Sequence, residues 1–388
     1  MIEKLKSCLD KGNCFGAILT DLSKVFDCIP YDLLIAKLSA YGLDLRSLRL
    51  INSYLNDRKQ RVKINNTFSS WAELLCGVPQ GSILGPLLFN IFICDLFLFV
   101  TNCDIASYAD DNTPYWSGKD IENTVQNVTK VAEQMFKWFE NNGMKANPDK
   151  SHLILSHPVE RETFVCGEKI ENSKCEKLLG ILIDHKLNFQ EHISVLCNKA
   201  SQKISALSRI SSFMKPDQRK LIMNAFITSH FSYCPLVWMM HSRRMNNRIN
   251  RIHERALRIV HKDFESSFAE LLSKDGSLTI HQRNLKLLAT EIFKAKCKIG
   301  PEITNDIFQF VEPNYNFRYE KAKSVRIRTV HYGTETLTYL GPKIWKELPD
   351  KCKEATSLSH FKIEIKKWIP RNCPCRICKT YIPGVGFI

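Results

Sequence analysis

The pattern of apolar positions in the first third of the chain predicts short buried strands that end in polar turns. Residues 14–20 form a continuous apolar run of strand length, which ends at an acidic residue, Asp21. Residues 105–107 predict the end of a second buried strand, and the aromatic run 113–116 predicts an extended segment after a tight turn. Asp21 is therefore a candidate ligand at a strand end, or a turn cap.

Helical periodicity covers much of the remaining chain. A first helix ends near Lys11, where Gly12 and Asn13 favour termination. The other predicted helices are 32–41, 45–56, 86–100, 120–142, 188–212, 216–240, 244–262 and 281–299. The apolar run 86–100 is interrupted by Asn90 and Asp95 and is too short to cross a bilayer, so it predicts a buried helix and no membrane partner.

Composition is that of a globular protein large enough for two or three domains. The chain has 388 residues, of which 44% are hydrophobic and 24% are charged. Its 15 cysteines show no paired spacing, and no signal peptide is recognisable. We therefore expect reduced thiols in an intracellular protein, nuclear or cytoplasmic, that is not secreted.

Charge is distributed unevenly along the chain. Residues 1–186 carry 21 Lys and Arg against 23 Asp and Glu, a net charge of −2. The remainder carries 34 basic against 17 acidic residues, a net charge of +17. A basic half joined to a carboxylate-rich half predicts a polyanionic ligand that is bound by one half and acted on by the other.

Two adjacent carboxylates stand in the tight turn of the sequence Tyr108-Ala109-Asp110-Asp111. A hairpin of this kind projects both carboxylates at its tip, where they repel each other unless positive charge lies nearby. Two divalent cations held about 4 Å apart would supply that charge and clamp a phosphoryl displacement. The alternative is a solvated surface turn.

The segment 77–86 brackets a serine with glycines and prolines and leads directly into the apolar helix. Glycines let a ligand approach the backbone closely, and the free amides of a helix N-terminus favour phosphates or the edges of bases. An ordinary capped loop is the alternative.

Three segments stand in the order of motifs A, B and C of reverse transcriptases and resemble them. Their sequences are close to those of the non-LTR, LINE-class (jockey-like) retrotransposons. They are residues 19–27 (LTDLSKVFD), 79–82 (PQGS) and 108–111 (YADD). Residues 143–151 (GMKANPDKS) resemble motif D, and 177–181 (KLLGI) resemble motif E. The segments 233–238 (YCPLVW) and 340–345 (LGPKIW) resemble those that follow the polymerase domain in these elements.

The resemblance implies an RNA-directed DNA polymerase, a nucleotidyltransferase that uses Mg²⁺ or Mn²⁺, an RNA template, a DNA primer and deoxynucleoside triphosphates. Asp21, Asp110 and Asp111 would be the metal ligands and catalytic residues. Lys150 would be the general acid for pyrophosphate, or merely a turn lysine. The implied substrate-binding residues are Phe26, beneath the sugar, with Gln80, Gly81 and Tyr108.

The implied fold is α+β, with a palm made of an antiparallel sheet backed by helices, followed by a mostly helical thumb. The predicted domains are a palm (1–186), a thumb (187–300) and a C-terminal region (301–388). Only about twenty residues precede motif A, so we expect the fingers to be largely missing and the chain to be a 5′-truncated copy. The alternative function is a catalytically inactive remnant that binds nucleic acid.

Two basic segments are candidates for nucleic-acid contact. Residues 58–63 lead into a hairpin around Asn65 and Asn66, where a solvated edge strand is the equal alternative. In the basic half, an amphipathic helix presents arginines at helical spacing, for which we favour duplex binding over a solvated face. The arginines are Arg243, Arg244, Arg248, Arg251 and Arg255.

Three tail cysteines, Cys373, Cys375 and Cys378, have the close spacing of metal ligands. A structural zinc needs a fourth ligand, for which Cys352 and His360 are candidates. We favour reduced thiols over a zinc site here.

Overall fold

The structure, a computed structural model, describes residues 1–22, 24–101, 103–157, 162–311 and 321–370. The chain forms two compact units. The first contains Asn13–Ile181 with Met1, and the second contains Ile2–Gly12 and the chain from Leu182 onward. Helix α1 (Ile2–Asp10) therefore belongs to the second unit although it opens the chain. Within the described ranges, no helix combines the length and the apolar character that crossing a membrane requires.

A six-stranded sheet forms the centre of the first unit. The strands of this unit are β1 (Cys14–Leu22), β2 (Lys59–Gln60), β3 (Lys63–Ile64), β4 (Thr67–Phe68), β5 (Ala72–Glu73), β6 (Asp104–Tyr108), β7 (Asp111–Gly118), β8 (Ala146–Leu155), β9 (Thr163–Val165), β10 (Glu168–Asn172) and β11 (Cys175–Leu178). The order in the sheet is β6-β7-β1-β8-β10-β9, and its pairs are antiparallel except β8 with β10. The α+β class is confirmed.

Helices of the first unit pack on this sheet and on one another. They are α2 (Tyr31–Ala40), α3 (Leu45–Leu55), α4 (Leu84–Ile93), α5 (Leu96–Phe99) and α6 (Ile121–Asn141). One face of α6, which includes Val128, Ala132 and Met135, is buried in the same core as residues of β1 and β8. Gly16 faces this helix closely, because a Cβ there would lie 3.4 Å from the Val128 side chain of α6 and 3.1 Å from the Leu155 side chain of β8.

A buried lysine connects α2 to α4 and α5, the helices that follow the segment resembling motif B. Lys37 Nζ donates hydrogen bonds to the Phe92 carbonyl oxygen (2.9 Å) and to Asp95 Oδ1 (2.8 Å). The same ammonium lies 4.2 Å and 4.6 Å from the ring centroids of Phe92 and Trp138. Asp95 falls between α4 and α5, so the single helix predicted over 86–100 is wrong in detail, since the chain turns where this carboxylate meets Lys37.

The second unit is mostly helical. Its helices after α1 are α7 (Gln190–Ile210), α8 (Pro216–Phe226), α9 (Pro235–Trp238), α10 (Arg243–His261), α11 (Phe268–Asp275), α12 (Ile280–Lys296), α13 (Glu302–Ile307), α14 (Leu337–Glu347), α15 (Asp350–Lys353) and α16 (Leu358–Lys367). Strand β12 (Ile181–Asp184) begins at the last residue of the first unit, and β13 (Phe310–Val311) pairs with β14 (Lys321–Ala322) in the second unit. Buried side chains of α12, α14 and α16 share one apolar core.

The continuous helix predicted over 216–240 is wrong, because the chain breaks after Phe226. A 3₁₀ turn follows at Thr228–Phe231, and Cys234 adopts a left-handed backbone conformation with φ 43°. Pro235 is the first residue of α9. Proline suits this position because a backbone N–H there would have no partner within the helix.

Acidic residues of α1 bind backbone amides in the C-terminal part of the second unit. Asp10 Oδ1 accepts hydrogen bonds from the Thr329 amide (2.7 Å) and hydroxyl (2.9 Å), and Oδ2 accepts one from the Arg328 amide (3.1 Å). Glu3 accepts from the amides of Leu337 (2.9 Å) and Thr338 (2.8 Å), at the N-terminus of α14. These bonds explain how the first residues of the chain are incorporated into its second unit.

Candidate active site

Strand register brings the candidate aspartates to one end of the sheet. Thr20 of β1 lies opposite Asn112 of β7, and its hydroxyl donates to the Asn112 carbonyl oxygen at 2.6 Å. Since the strands are antiparallel, Asp21 lies one residue further along β1, beside Asp111. Asp21 also pairs across β1 and β8 with Asn147. The ends of three neighbouring strands therefore meet at Asp21.

The turn between β6 and β7 presents the second carboxylate. Tyr108 pairs with Asp111, which leaves Ala109 and Asp110 as a two-residue loop. Ala109 has φ 52°, a left-handed conformation that costs an alanine about 1–2 kcal/mol. The Asn112 side-chain amide donates to the Asp110 carbonyl oxygen at 3.1 Å and holds the loop closed. The predicted hairpin with a carboxylate at its tip is thus present in the structure.

Asp110 and Asp21 are close enough to Asp111 to influence its carboxyl electrostatically. Burial, and then the charges of Asp110 and Asp21, raise the pKa of the Asp111 carboxyl. Lys150, on β8, lies with its Nζ 3.7 Å from Asp21 Oδ2. Both partners of this pair are largely exposed, so the ion pair itself contributes at most about 1 kcal/mol. The site thus concentrates negative charge that one exposed lysine compensates in part.

Oxygen ligands for a hard cation are present at this place, since carboxylates are what Mg²⁺ and Mn²⁺ prefer. The raised pKa of Asp111 is the observation that fits a cation, because a bound positive charge would offset both the burial and the neighbouring negative charges that raise it. In the described part of the chain, however, no group of three or more His, Cys, Asp or Glu side chains is arranged to hold a metal ion. Metal binding by these aspartates stays a prediction.

The loop that resembles motif B packs directly on the segment that follows Asp21. The Val78 amide donates to the Phe26 carbonyl oxygen at 2.7 Å, and the Gly77 amide donates to that of Ile29 at 2.8 Å. Gly77 has φ 88°, and a Cβ there would lie only 2.7 Å from the Asp27 Cα. Glycine is therefore required at this position by both conformation and space.

Gln80 is held by a residue that the sequence did not single out as a site residue. Its side-chain amide donates to Asp27 Oδ1 at 2.9 Å. Asp27 lies six residues after Asp21, inside the segment that resembles motif A, so its position in that motif was the available signal. Gly81 has φ 79° and an open, exposed surface. Its neighbour Ser82 accepts a hydrogen bond from the Gly85 amide at 2.9 Å and caps the start of α4.

Phe26 is half-buried and braced from one side. Its ring centroid lies 4.5 Å from that of Phe89, a fully buried residue of α4, at an interplanar angle of 34°. This contact fixes the ring by packing from the helix that follows the loop. Tyr108, in contrast, is exposed at the end of β6.

In the second unit, the arginines of α10 divide into two groups. Arg248 donates to Ser194 Oγ (2.9 Å) and to Asn198 Oδ1 (2.7 Å), both on α7. Arg255 donates to Ser201 Oγ at 3.2 Å, also on α7. Arg255 is nevertheless exposed, as are Arg243, Arg244 and Arg251 of the same helix. Two of the five predicted contact residues are therefore oriented by the neighbouring helix.

The tail cysteines Cys373, Cys375 and Cys378 lie outside the described residues. Of the proposed fourth ligands, Cys352 is buried in the core of the second unit and His360 is exposed on α16. Burial raises the pKa of the Cys352 thiol, which opposes the thiolate that zinc requires.

Comparison with known proteins agrees with the motifs. Residues 1–189 match the family model described as reverse transcriptase (RNA-dependent DNA polymerase). The chain is 26% identical over 272 residues to a probable RNA-directed DNA polymerase from transposon BS of Drosophila melanogaster, covering 65% of this chain and 29% of the relative. It is 29% identical over 218 residues to the RNA-directed DNA polymerase from mobile element jockey of the same organism, covering 53% and 23%. The chain thus spans less than a third of these relatives.

Among solved structures, an apo telomerase from Candida tropicalis matches with a TM-score of 0.38 and 13% identity, over 70% of this chain and 46% of that one. The relatives found by sequence comparison are named as RNA-directed DNA polymerases of mobile elements. Residues 1–189 therefore carry a match to the reverse transcriptase family, and the predicted resemblance to non-LTR retrotransposons of the jockey type is confirmed.

Proposed function

We propose that this chain carries the polymerase site of a retrotransposon reverse transcriptase and extends a DNA primer along an RNA template. The observation that supports this most strongly is the meeting of Asp21, Asp110 and Asp111 at one end of the sheet. In this proposal the sheet with its helices is the palm, and the helical second unit contains the thumb.

Asp21 and Asp110 would hold the divalent cations, with Asp111 beside them. When bound, Mg²⁺ or Mn²⁺ supplies activation of the primer 3′-hydroxyl and neutralisation of the pyrophosphate leaving group. The chain's own contribution is to fix these carboxylates on strand ends, where the hydrogen bond from Thr20 to the Asn112 carbonyl sets their register. Lys150 would donate a proton to the departing pyrophosphate, and its exposed position beside Asp21 leaves it accessible.

The neighbouring residues would bind the nucleotide and the template. Phe26 packs against Phe89, which prevents its ring from moving away from the site. The ring would lie beneath the sugar and exclude a 2′-hydroxyl. Gln80, oriented by Asp27, and Gly81, which has no side chain, would border the template and the incoming base. The exposed ring of Tyr108 would lie at the primer end.

The basic surface of the second unit would hold the template–primer duplex. Arg248 and Arg255 lie against α7, where Lys199 and Lys203 are exposed, so cationic side chains extend over two adjacent helices. Phosphate contacts of this kind are independent of sequence and weaken with salt. The net charge of +17 beyond residue 186 supports the same assignment.

The test is primer extension by the purified 388-residue chain on poly(rA)/oligo(dT) with Mg²⁺ or Mn²⁺. The Asp110→Asn variant removes one ligand charge, and a loss of several kcal/mol of transition-state stabilisation slows the reaction about a hundredfold or more. Asp104→Asn is the matched control, because this aspartate lies at the far end of the same hairpin. Phe26→Val should raise ribonucleotide incorporation relative to deoxynucleotide incorporation.

Equal extension by wild type and Asp110→Asn would contradict the assignment of the site. Absence of extension by the wild type, with duplex binding retained, would favour the alternative of a nucleic-acid-binding protein without catalysis. Extension that Asp104→Asn abolishes as well would show that the loss reflects damage to the hairpin and not the removal of a ligand.

A further inference from the structure

Residues 58–75, here called the basic hairpin, form an antiparallel ribbon that contributes nothing to the core of the first unit. At the base of the ribbon, β2 pairs with β5. At its tip, β3 pairs with β4 around Asn65 and Asn66. Every residue from 59 to 73 is exposed. Because packing does not dictate these side chains, their composition points to contact with something outside the unit.

The exposed surface of the basic hairpin combines aromatic rings with a cation between them. The guanidinium carbon of Arg61 lies 3.9 Å from the ring centroid of Phe68 and 4.5 Å from that of Trp71. Phe68 is 46% exposed and Trp71 is 60% exposed, so each ring keeps accessible surface. The cation–π contacts orient both rings without covering them.

Charge on the basic hairpin is strongly of one sign. Its cationic residues are Arg58, Lys59, Arg61 and Lys63, and its sole acidic residue is Glu73, which pairs with Lys59 at 3.3 Å. Lys63 also lies near an aromatic ring, with its Nζ 5.2 Å from the Phe68 centroid. Accessible rings interspersed with an excess of cations are the composition that binds the bases and phosphates of a single strand.

A groove connects the base of the basic hairpin with the motif B loop. It has a volume of about 810 Å³, and its lining includes Arg58, Lys59, Asp27 and the loop from Gly77 to Gln80. A strand that stacks on the hairpin can therefore continue along this groove to the Gln80 side chain, which Asp27 holds.

We propose that the basic hairpin binds a single-stranded polynucleotide, stacking its bases on Phe68 and Trp71 and pairing its phosphates with the cationic side chains. The strand then enters the groove that leads to Gln80. In the polymerase proposed above this strand is the template, and only that identification rests on the proposed function. Binding itself requires neither metal nor catalysis.

The experiment measures binding of a fluorescein-labelled oligo(rU) of about 20 nucleotides by the full chain, by fluorescence anisotropy in EDTA. The chain carries Asp110→Asn throughout, so catalysis has no part in the result. The double variant Phe68→Ala/Trp71→Ala should bind about thirtyfold more weakly or worse, because two stacked bases are lost at about 1–3 kcal/mol each. Trp71→Phe should restore most of the affinity that Trp71→Ala alone loses.

Salt dependence separates the two kinds of contact. Arg61→Gln should flatten the log–log salt slope by about 0.7, the value for one phosphate contact on a single strand, whereas Trp71→Ala should leave the slope unchanged. Phe213→Ala, which removes another exposed ring, and Arg46→Gln, which removes another exposed arginine, are the matched controls and should bind like the parent. Thermal unfolding should be unchanged, since the hairpin side chains are not in the core.

The proposal is overturned if the hairpin variants bind oligo(rU) like the parent, or if the controls weaken binding equally. It is also overturned if the hairpin variants weaken binding of a blunt RNA–DNA duplex as much as that of the single strand. A change of oligomeric state in the hairpin variants, seen by light scattering with unchanged RNA affinity, would instead identify the hairpin as a contact between copies of the chain.

Discussion

Replacing Gly77 by alanine should disrupt the packing of the motif B loop on the segment after Asp21. An added Cβ would lie 2.7 Å from the Asp27 Cα and 2.8 Å from the carbonyl oxygens of both Asp27 and Phe26. All three are backbone atoms, so no side-chain rotation can relieve the contact. The loop must move, which breaks the 2.7 Å hydrogen bond from the Val78 amide to Phe26.

The magnitude follows from two contributions. A left-handed conformation costs an alanine about 1–2 kcal/mol relative to glycine. The displaced hydrogen bond adds about 1 kcal/mol, and more if the Val78 amide stays buried without a partner. The matched control is Gly42→Ala, because Gly42 has a φ of 92°, close to the 88° of Gly77, but no atom within 4 Å of an added Cβ.

Amide hydrogen exchange read by mass spectrometry measures the effect locally. Gly77→Ala should speed exchange in peptides that cover the loop and residues 24–30 about fivefold or more beyond the effect of Gly42→Ala, since the left-handed cost is common to both variants and about 1 kcal/mol corresponds to a factor of about five. Equal exchange of these peptides in the two variants would show that the loop does not rest on Asp27.

Three further predictions concern charged groups. Burial and neighbouring charge raise the pKa of the Asp111 carboxyl, so its ionised form is unfavourable in the folded chain. Asp111→Asn should therefore raise the Tm of the metal-free chain at pH 7, and this increase should vanish below about pH 4. Lys37→Met should lower the free energy of unfolding by about 1–3 kcal/mol in urea titration, because the ammonium between Phe92 and Trp138 carries hydrogen bonds that the variant lacks. Burial raises the pKa of the Asp10 carboxyl, but hydrogen bonds from backbone amides outweigh burial, so the net effect is a lowered pKa. The stabilisation by Asp10 is therefore full above about pH 4 and is lost as the pH falls further, which Tm measurements against Asp10→Asn should show.

Much of the first unit was predictable because its signals are local. The apolar run that became β1, the turn at Ala109 and Asp110, and the helix predicted over 120–142 each depend on residues near in sequence. The resemblance to reverse transcriptases rested on the same segments and is confirmed over residues 1–189. Predicted and observed helix boundaries differ by a residue or two where capping residues set the helix end. Asp120 is an example, because its side chain accepts a hydrogen bond from the Asn123 amide at the start of α6.

Features that depend on distant residues were not predictable. The parallel pairing of β8 with β10 has no local signature, and the predicted antiparallel sheet did not include it. The contact from Gln80 to Asp27 joins residues 53 positions apart. Likewise, a basic amphipathic pattern could not reveal that Arg248 would face Ser194 of another helix. The assignment of palm, thumb and tail to particular ranges stays a prediction.

Iron-directed cleavage would test the central claim, that Asp21, Asp110 and Asp111 form one site for divalent cations. Fe²⁺ in place of Mg²⁺, with ascorbate and peroxide, generates hydroxyl radicals that cut the backbone close to the bound ion. We expect two cleavage positions far apart in sequence, near Asp21 and near Asp110, both suppressed by excess Mg²⁺ and by Asp110→Asn but not by Asp104→Asn. Cleavage at only one of these positions, or cleavage that Asp110→Asn leaves unchanged, would contradict the claim.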